Sequence, residues 1–338
     1  MPASTRSEQV VLLLNVDSHR RIWSLPDGAQ DAIAARFPQL RILKAHDAAS
    51  LRAHLPVADI LYTWHLPPAL FSLARRLKWL HTPAAGVEHL LHPSLRQSDV
   101  ILTNCRGIAG DAMADHAFAM MLALARRLPD SVRLQTQQRW GQDLFWSTSP
   151  APFTLNGKVL GIVGLGGVGI ELAKRASAFG MEIVATRRRD AKPPRYVKKL
   201  LKHEQLAELL AESDFVVITA PLTAETRGLM GPRELRRMKK TAYLVNVGRG
   251  EQVDEGALIR ALREGWIAGA ALDVFQREPL PKNSVLWRVP GLFITPHYAG
   301  TYPEHLARAT DLFVQNLALY LGGKPKKLRN IVDKQRGY

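Results

Sequence analysis

The sequence predicts an α/β fold with a doubly wound parallel sheet in its second half, on three observations. Short apolar runs alternate with helix-compatible stretches along most of the 338 residues. Six such runs lie between Val159 and Thr295, enough for a complete doubly wound sheet. The first of the six, Val159 to Val163, breaks into Gly164-Leu165-Gly166-Gly167-Val168-Gly169, and Ile170 to Phe179 then carries helix-compatible residues up to a stop at Gly180. Strand, glycine turn and helix in that order make a dinucleotide-binding junction. Gly164 permits the tight turn, Gly166 lets a pyrophosphate approach the backbone, and Gly169 lets helix and strand pack closely. The start of the helix offers free N–H groups to the phosphates.

The first hundred residues form a second α/β unit. Val10 to Asn15, Arg41 to Lys44, Ile60 to Trp64, Trp79 to Thr82 and Val100 to Thr103 read as strands, and Ala29 to Phe37 as a helix. Turns such as Pro67-Pro68 separate them. Thr82 to Val87 follows a strand, where open α/β sheets place ligands, and its small residues leave backbone N–H groups accessible to an anion. An ordinary strand-to-helix turn accounts for the same residues.

Ala112 to Leu128 is a helix apolar at nearly every position, so more than one face needs cover, from a subunit interface or a join between domains. His116 within it is expected to be a packed or interface histidine rather than a ligand. Cys105, the lone cysteine, has no CxxC partner or neighbouring histidine; it excludes an internal disulfide and is read as structural. Gln135 to Pro152, with Trp140, Phe145 and Trp146, reads as an irregular arm. Strands at Met181 to Thr186, Asp214 to Ala220, Tyr243 to Val247, Ala268 to Val274 and Leu292 to Thr295 continue the second unit. Helices are expected at Gly231 to Lys239, Asp254 to Glu264 and Pro303 to Leu321.

Composition narrows the function. Hydrophobic content of 46% with 22% charged residues is that of a globular protein. Met1 to Gln9 is short and polar and no segment approaches a membrane span, so the expected location is cytoplasmic. The net charge of +16 comes without a helix-turn-helix, metal-ligand spacing or aromatic-interleaved basic groove. Nucleic acid, membrane and metal are therefore not expected partners. Lys198-Lys199, Lys239-Lys240 and Lys324 with Lys326-Lys327 read as solvated surface.

Arg187-Arg188-Arg189 is different. A dinucleotide fold usually carries an acidic residue about 20 residues past its glycine turn, where it holds a ribose hydroxyl. Here Thr186, Arg187 and Arg188 occupy that place, and no carboxylate appears before Asp190. A hydroxyl and two guanidinium groups would donate to a 2′-phosphate, so NADP is the expected cofactor, with NAD the weaker alternative.

Three ionisable residues lie at or just after the ends of late strands: Arg249 in Asn246-Val247-Gly248-Arg249-Gly250, Glu278 in Arg277-Glu278-Pro279, and His297 in Thr295-Pro296-His297. Arginine can clamp a carboxylate through two parallel hydrogen bonds. Histidine backed by a carboxylate can exchange a proton with an alcohol or ketone near neutral pH. Beside a nicotinamide, this is equipment for hydride transfer to or from a 2-oxo acid.

These segments, with Ala85-Gly86-Val87-Glu88-His89-Leu90, Ala220-Pro221-Leu222-Thr223, Ala271-Leu272-Asp273-Val274-Phe275 and Thr295-Pro296-His297-Tyr298-Ala299-Gly300, make the chain resemble the D-2-hydroxyacid dehydrogenase family along essentially its whole length. The resemblance implies a flavodoxin-like substrate domain from both chain ends (1–104 and 298–338), a central nucleotide domain (105–297), a cleft between them, and a homodimer. It implies that Arg249 grips the substrate carboxylate and polarises the carbonyl, and that His297 is the proton donor in reduction, oriented by Glu278. Ala85, Gly86 and Val87 would bind the substrate carboxylate through backbone groups. Asp273 would meet the nicotinamide amide, and Pro221, Val247, Gly248 and Ala299 would complete the cofactor site. Trp146 would approach a partner's active site. Relatives that prefer NADPH carry a similar basic substitution at the ribose position.

The leading function is thus an NADPH-dependent 2-ketoacid reductase acting on a small substrate such as glyoxylate or hydroxypyruvate. A dinucleotide-sensing corepressor is the alternative of a different class, and the joint presence of Arg249, Glu278 and His297 argues against it. A formate- or phosphite-oxidising enzyme of the same fold ranks lower still.

Overall fold

The computed structural model describes residues 9–18, 21–147, 150–188 and 192–337. Residues 1–8 of the polar start, and Arg189 and Asp190 in the basic run, lie outside the described residues. The chain divides into two compact units, Met1–Ile108 with Tyr302–Tyr338, and Ala109–Thr301.

The chain first lays down β1 (Val11–Asn15), α1 (Ala29–Arg36), β2 (Arg41–Lys44), α2 (Ala48–His54), β3 (Ile60–Thr63), α3 (Pro68–Phe71), β4 (Trp79–His81), α4 (Pro93–Gln97) and β5 (Ile101–Thr103). Their five strands form one parallel sheet in the order β2-β1-β3-β4-β5, the flavodoxin-like order. Leu12, Leu13 and Leu14 are buried on both faces of β1, which is why that segment is a continuous apolar run. The order in which strands are added reverses between β1 and β3, and there Asn15 Nδ2 donates to Thr63 Oγ1 at 2.9 Å. Helices α2, α3 and α4 were not expected. Each is seven residues or fewer and buries one apolar side chain, too short to show a helical period. A capping box between Asp47 and Ser50 starts α2.

The second unit holds α5 (Gly110–Ala125), α6 (Leu128–Thr136), α7 (Gln142–Ser147), β6 (Val159–Val163), α8 (Gly167–Ala178), β7 (Glu182–Thr186), β8 (Lys199–Leu201), α9 (Leu206–Glu212), β9 (Phe215–Ile218), α10 (Pro232–Arg237), β10 (Tyr243–Asn246), α11 (Glu255–Arg263), β11 (Gly269–Leu272) and β12 (Leu292–Ile294). Its parallel sheet runs β12-β11-β10-β9-β6-β7-β8, reversing between β6 and β9. Seven strands pair here, where six were expected. The seventh is β8, whose Lys199 sits in the solvated basic run. Its side chain is held by Glu208 and by Glu212 (3.3 Å), while the backbone pairs with Val184 at the sheet edge. The chain then returns to the first unit as α12 (His305–Leu321), burying Phe313 and Leu317 beside Tyr62 and Trp79.

Three other expectations change. The arm is not irregular throughout, since α6 and α7 lie within it. The apolar helix α5 finds its cover inside its own unit: Ala114, Ala117, Met120, Met121 and Leu124 are buried in a core shared with α8 and the strands β10 and β11. It therefore demands no partner subunit. The unit boundaries fall at 108 and 301, not 104 and 297. Cys105 and Ile108 pack with Ala309 and Leu312 in the first unit, whereas Tyr298 and Ala299 are tied by their N–H groups to Asp273 in the second.

Candidate active site

The glycine turn follows β6, beside the point where the second sheet reverses, the place where such sheets bind ligands. Gly164 has φ +102°, and a Cβ on it would lie 2.7 Å from Ala220 Cα at the end of β9. A Cβ on Gly169 would lie 2.7 Å from Gly164 O, so helix and turn touch backbone to backbone. Around Gly166, by contrast, a Cβ would find nothing within 4 Å. Leu165 is buried, Val168 is half-buried, and Gly166 and Gly167 face solvent at a helix start with no side-chain cap. Open space and uncapped N–H groups at one helix N-terminus fit a pyrophosphate.

Thr186 was expected to face a 2′-phosphate. It is 3% exposed, and its hydroxyl accepts the Gly164 N–H at 3.2 Å while its carbonyl accepts that of Leu165. It braces the turn from behind through these two bonds. Arg187 is half-buried and Arg188 exposed; a hydrogen bond from Thr223 holds the Glu225 carboxyl below its ordinary value, and the nearby Arg188 charge adds to that.

Arg249, Glu278 and His297 follow the C-terminal ends of β10, β11 and β12, which are neighbours in the sheet. Arg249 is held at its backbone: its N–H donates to Gln252 Oε1 at 2.8 Å, and its carbonyl accepts from Asn246 Nδ2 at 2.9 Å. One guanidinium nitrogen reaches Gly248 O at 2.8 Å. Gly250 comes so close to Phe275 that a Cβ would lie 1.9 Å from that residue's carbonyl carbon, so only glycine fits. This contact locks the Arg249 turn against the loop that carries Glu278. Glu278 Oε1 accepts the Phe275 N–H at 2.9 Å, and Oε2 stands 2.5 Å from His297 Nδ1. The carboxylate takes the Nδ1 proton and leaves Nε2 as the outward atom of an imidazole that is 47% exposed.

The remaining expected contacts differ in burial. Val247 and Gly248 are buried and form the turn that presents Arg249, while Pro221 is exposed after β9. Asp273 is 1% exposed; Oδ1 accepts from Thr295 Oγ1 (2.6 Å) and Tyr298 N–H (3.1 Å), and Oδ2 from Ala299 N–H (2.9 Å). A nicotinamide amide would have to share those oxygens. Burial lowers the His116 pKa, opposed by the Asp273 charge, so this histidine is neutral near pH 7. In the first unit, the N–H groups of Ala85, Gly86 and Val87 have no acceptor among the described residues, and Asn104 Nδ2 holds Ala85 O at 2.6 Å. Cys105 is fully buried, and burial pushes its thiol pKa well up, as suits an unreactive side chain.

Gln252, Asn246, Asn104, Thr295 and His116 were not read as site residues. Asn246 and Gln252 hold Arg249 within its own turn, while Asn104, Thr295 and His116 act through contacts elsewhere in the fold, and the residue type alone carries no such signal. No group of three or more histidine, cysteine or acidic residues able to hold a metal ion occurs among the described residues. No helix among them is long and apolar enough to cross a membrane.

Residues 118–299 match the family model described as D-isomer specific 2-hydroxyacid dehydrogenase, NAD binding domain. The chain belongs to that family. A glyoxylate reductase of Aeropyrum pernix is 39% identical over 284 residues, covering 81% of this chain and 83% of that one. A D-isomer specific 2-hydroxyacid dehydrogenase family protein from Aeromonas salmonicida superposes with a TM-score of 0.81 at 32% identity, over 97% of this chain and all of that one. The family member from Xanthobacter autotrophicus, solved with NADPH and MES, gives 0.81 at 31% identity, over 98% and 100% of the two chains. As a 2-hydroxyacid dehydrogenase family member, the protein is an oxidoreductase with a nicotinamide-dinucleotide domain.

Proposed function

We propose that this dehydrogenase is an NADPH-dependent reductase of small 2-oxo acids, with glyoxylate and hydroxypyruvate as substrates. The observation that carries the reading is the Glu278–His297 pair, set one strand from Arg249 on a sheet whose glycine turn is open to a dinucleotide. The similarity to the Aeropyrum glyoxylate reductase and to the NADPH-bound Xanthobacter protein supports it.

The reduced nicotinamide supplies the hydride. The protein's task is to hold the acid and deliver the proton. Arg249, with its backbone pinned by Gln252, offers the planar fork that matches a carboxylate and polarises the adjacent carbonyl. His297 Nε2 gives its proton to the carbonyl oxygen in reduction and recovers it in oxidation, with Glu278 on Nδ1 fixing the ring and stabilising the imidazolium. Ala85, Gly86 and Val87 present three N–H groups suited to an anion. Arg187 and Arg188 select the 2′-phosphate; Thr186 contributes by bracing the turn.

The protein acts as a homodimer in the cytoplasm, where a lone free thiol such as Cys105 persists. The dimer reading rests on α6, α7 and the chain between them, where Leu128, Val132, Trp140, Leu144 and Trp146 are exposed. Sedimentation at micromolar concentration should give twice the monomer mass; a monomer would end that part.

The deciding experiment follows NADPH absorbance with glyoxylate, hydroxypyruvate and larger 2-oxo acids, then repeats the panel with NADH. Turnover with NADPH on the small acids is expected. Dinucleotide binding without turnover of any acid would replace this reading with dinucleotide sensing.

A further inference from the structure

We infer that His116, on α5, is a positioning residue that sets the His297 loop through Thr295 and Asp273. His116 Nε2 lies 3.0 Å from Thr295 Oγ1, and that hydroxyl lies 2.6 Å from Asp273 Oδ1. Thr295 has one hydroxyl proton. It goes to the carboxylate, which can only accept, so the hydroxyl must itself accept from His116, and the neutral imidazole carries its proton on Nε2. Asp273, oriented in this way, takes the N–H groups of Tyr298 and Ala299, and its own carbonyl takes that of His297 at 2.8 Å.

The loop needs such restraint. His297 has φ +49°, a left-handed conformation that costs an L-residue energy and persists only where surrounding contacts over-determine it. His116 also stands edge-on to the Tyr298 ring, with centroids 4.7 Å apart, so it touches residues on both sides of His297. His116 Nε2 also stands 3.5 Å from Asp273 Oδ1, so removing it takes a donor from beside both the hydroxyl and the carboxylate that hold the loop.

The inference rests on the proposed reductase for its kinetic consequence only, and the test keeps the two apart. In the full-length protein, His116→Leu removes the donor, His116→Gln returns an amide N–H, and Thr295→Val breaks the next link with little change in volume. Amide hydrogen exchange at Tyr298 and Ala299 should rise about tenfold or more in the Leu and Val variants and return toward the wild-type rate in the Gln variant. With glyoxylate, the kcat of the Leu and Val variants should fall roughly ten- to a hundredfold, since misplacement of about 1 Å has that effect. The double variant should be no slower than the slower single one. Unchanged exchange, equal defects in the Leu and Gln variants, or additive losses would overturn the inference. Altered exchange in a protein that reduces no 2-oxo acid would leave this network standing and remove the reductase reading.

Discussion

His297 Nδ1 and Glu278 Oε2 meet at 2.5 Å although 19 positions separate them in the chain and they leave different strands. The contact leaves one imidazole nitrogen for chemistry and commits the other to a carboxylate. His297→Ala should lower kcat for glyoxylate reduction by roughly a hundredfold or more, the usual contribution of a positioned acid or base. NADPH affinity, measured by fluorescence titration, should stay within a few-fold. Glu278→Gln keeps the shape without the charge and should fall between the two. Near-normal turnover of the alanine variant would remove His297 as proton donor.

Arg249 is fixed at its backbone by Gln252 and Asn246, so substitution tests the guanidinium itself. Arg249→Lys retains the charge and loses the fork. Steady-state kinetics should give a higher KM for glyoxylate and a lower kcat together. A lysine variant indistinguishable from wild type would place the carboxylate clamp elsewhere.

On the proposed reading cofactor choice falls on Arg187 and Arg188, since Thr186 is turned inward to Gly164. Replacing both arginines with alanine should raise the NADPH KM about tenfold or more and barely move the NADH KM, the loss of one charge-assisted contact being enough. Equal shifts for the two cofactors would show that the pair does not read the phosphate.

A pH effect on stability follows from the first unit. Trp79 Nε1 donates to Thr103 Oγ1 at 2.8 Å, that hydroxyl stands 2.7 Å from His81 Nδ1, and His81 Nε2 faces Cys105 Sγ at 3.4 Å. Burial pushes the His81 pKa down to about 3 from an ordinary 6.5. Between those two values the unfolded chain binds a proton that the folded chain refuses. His81 therefore costs no stability above about pH 6.5, and stability drains away as the pH falls toward 3, by an amount of order 4 kcal/mol. Denaturant midpoints measured from pH 7 to pH 4 should fall, and His81→Gln should flatten the slope. An unchanged slope in that variant would assign the loss to other groups.

The sequence by itself determined the two α/β units, every strand but β8, the glycine turn and the three residues of the candidate site. Those features are local. A parallel strand buried on both faces must be an apolar run, Gly164 must be glycine at φ +102°, and a ligand-facing residue follows a strand end. Tertiary structure decided which side chains stand behind the site. Thr186 under Gly164, and His116 under Thr295 and Asp273, look like any polar residues until the fold brings up their partners. It also decided that α5 is covered within its own unit, and that the edge strand β8 forms beside Val184 from a segment whose lysines look only like solvated surface. Periodicity and spacing report what a residue's own element requires. A hydrogen bond between residues far apart in the chain is a property of the assembled fold, and no local pattern encodes it.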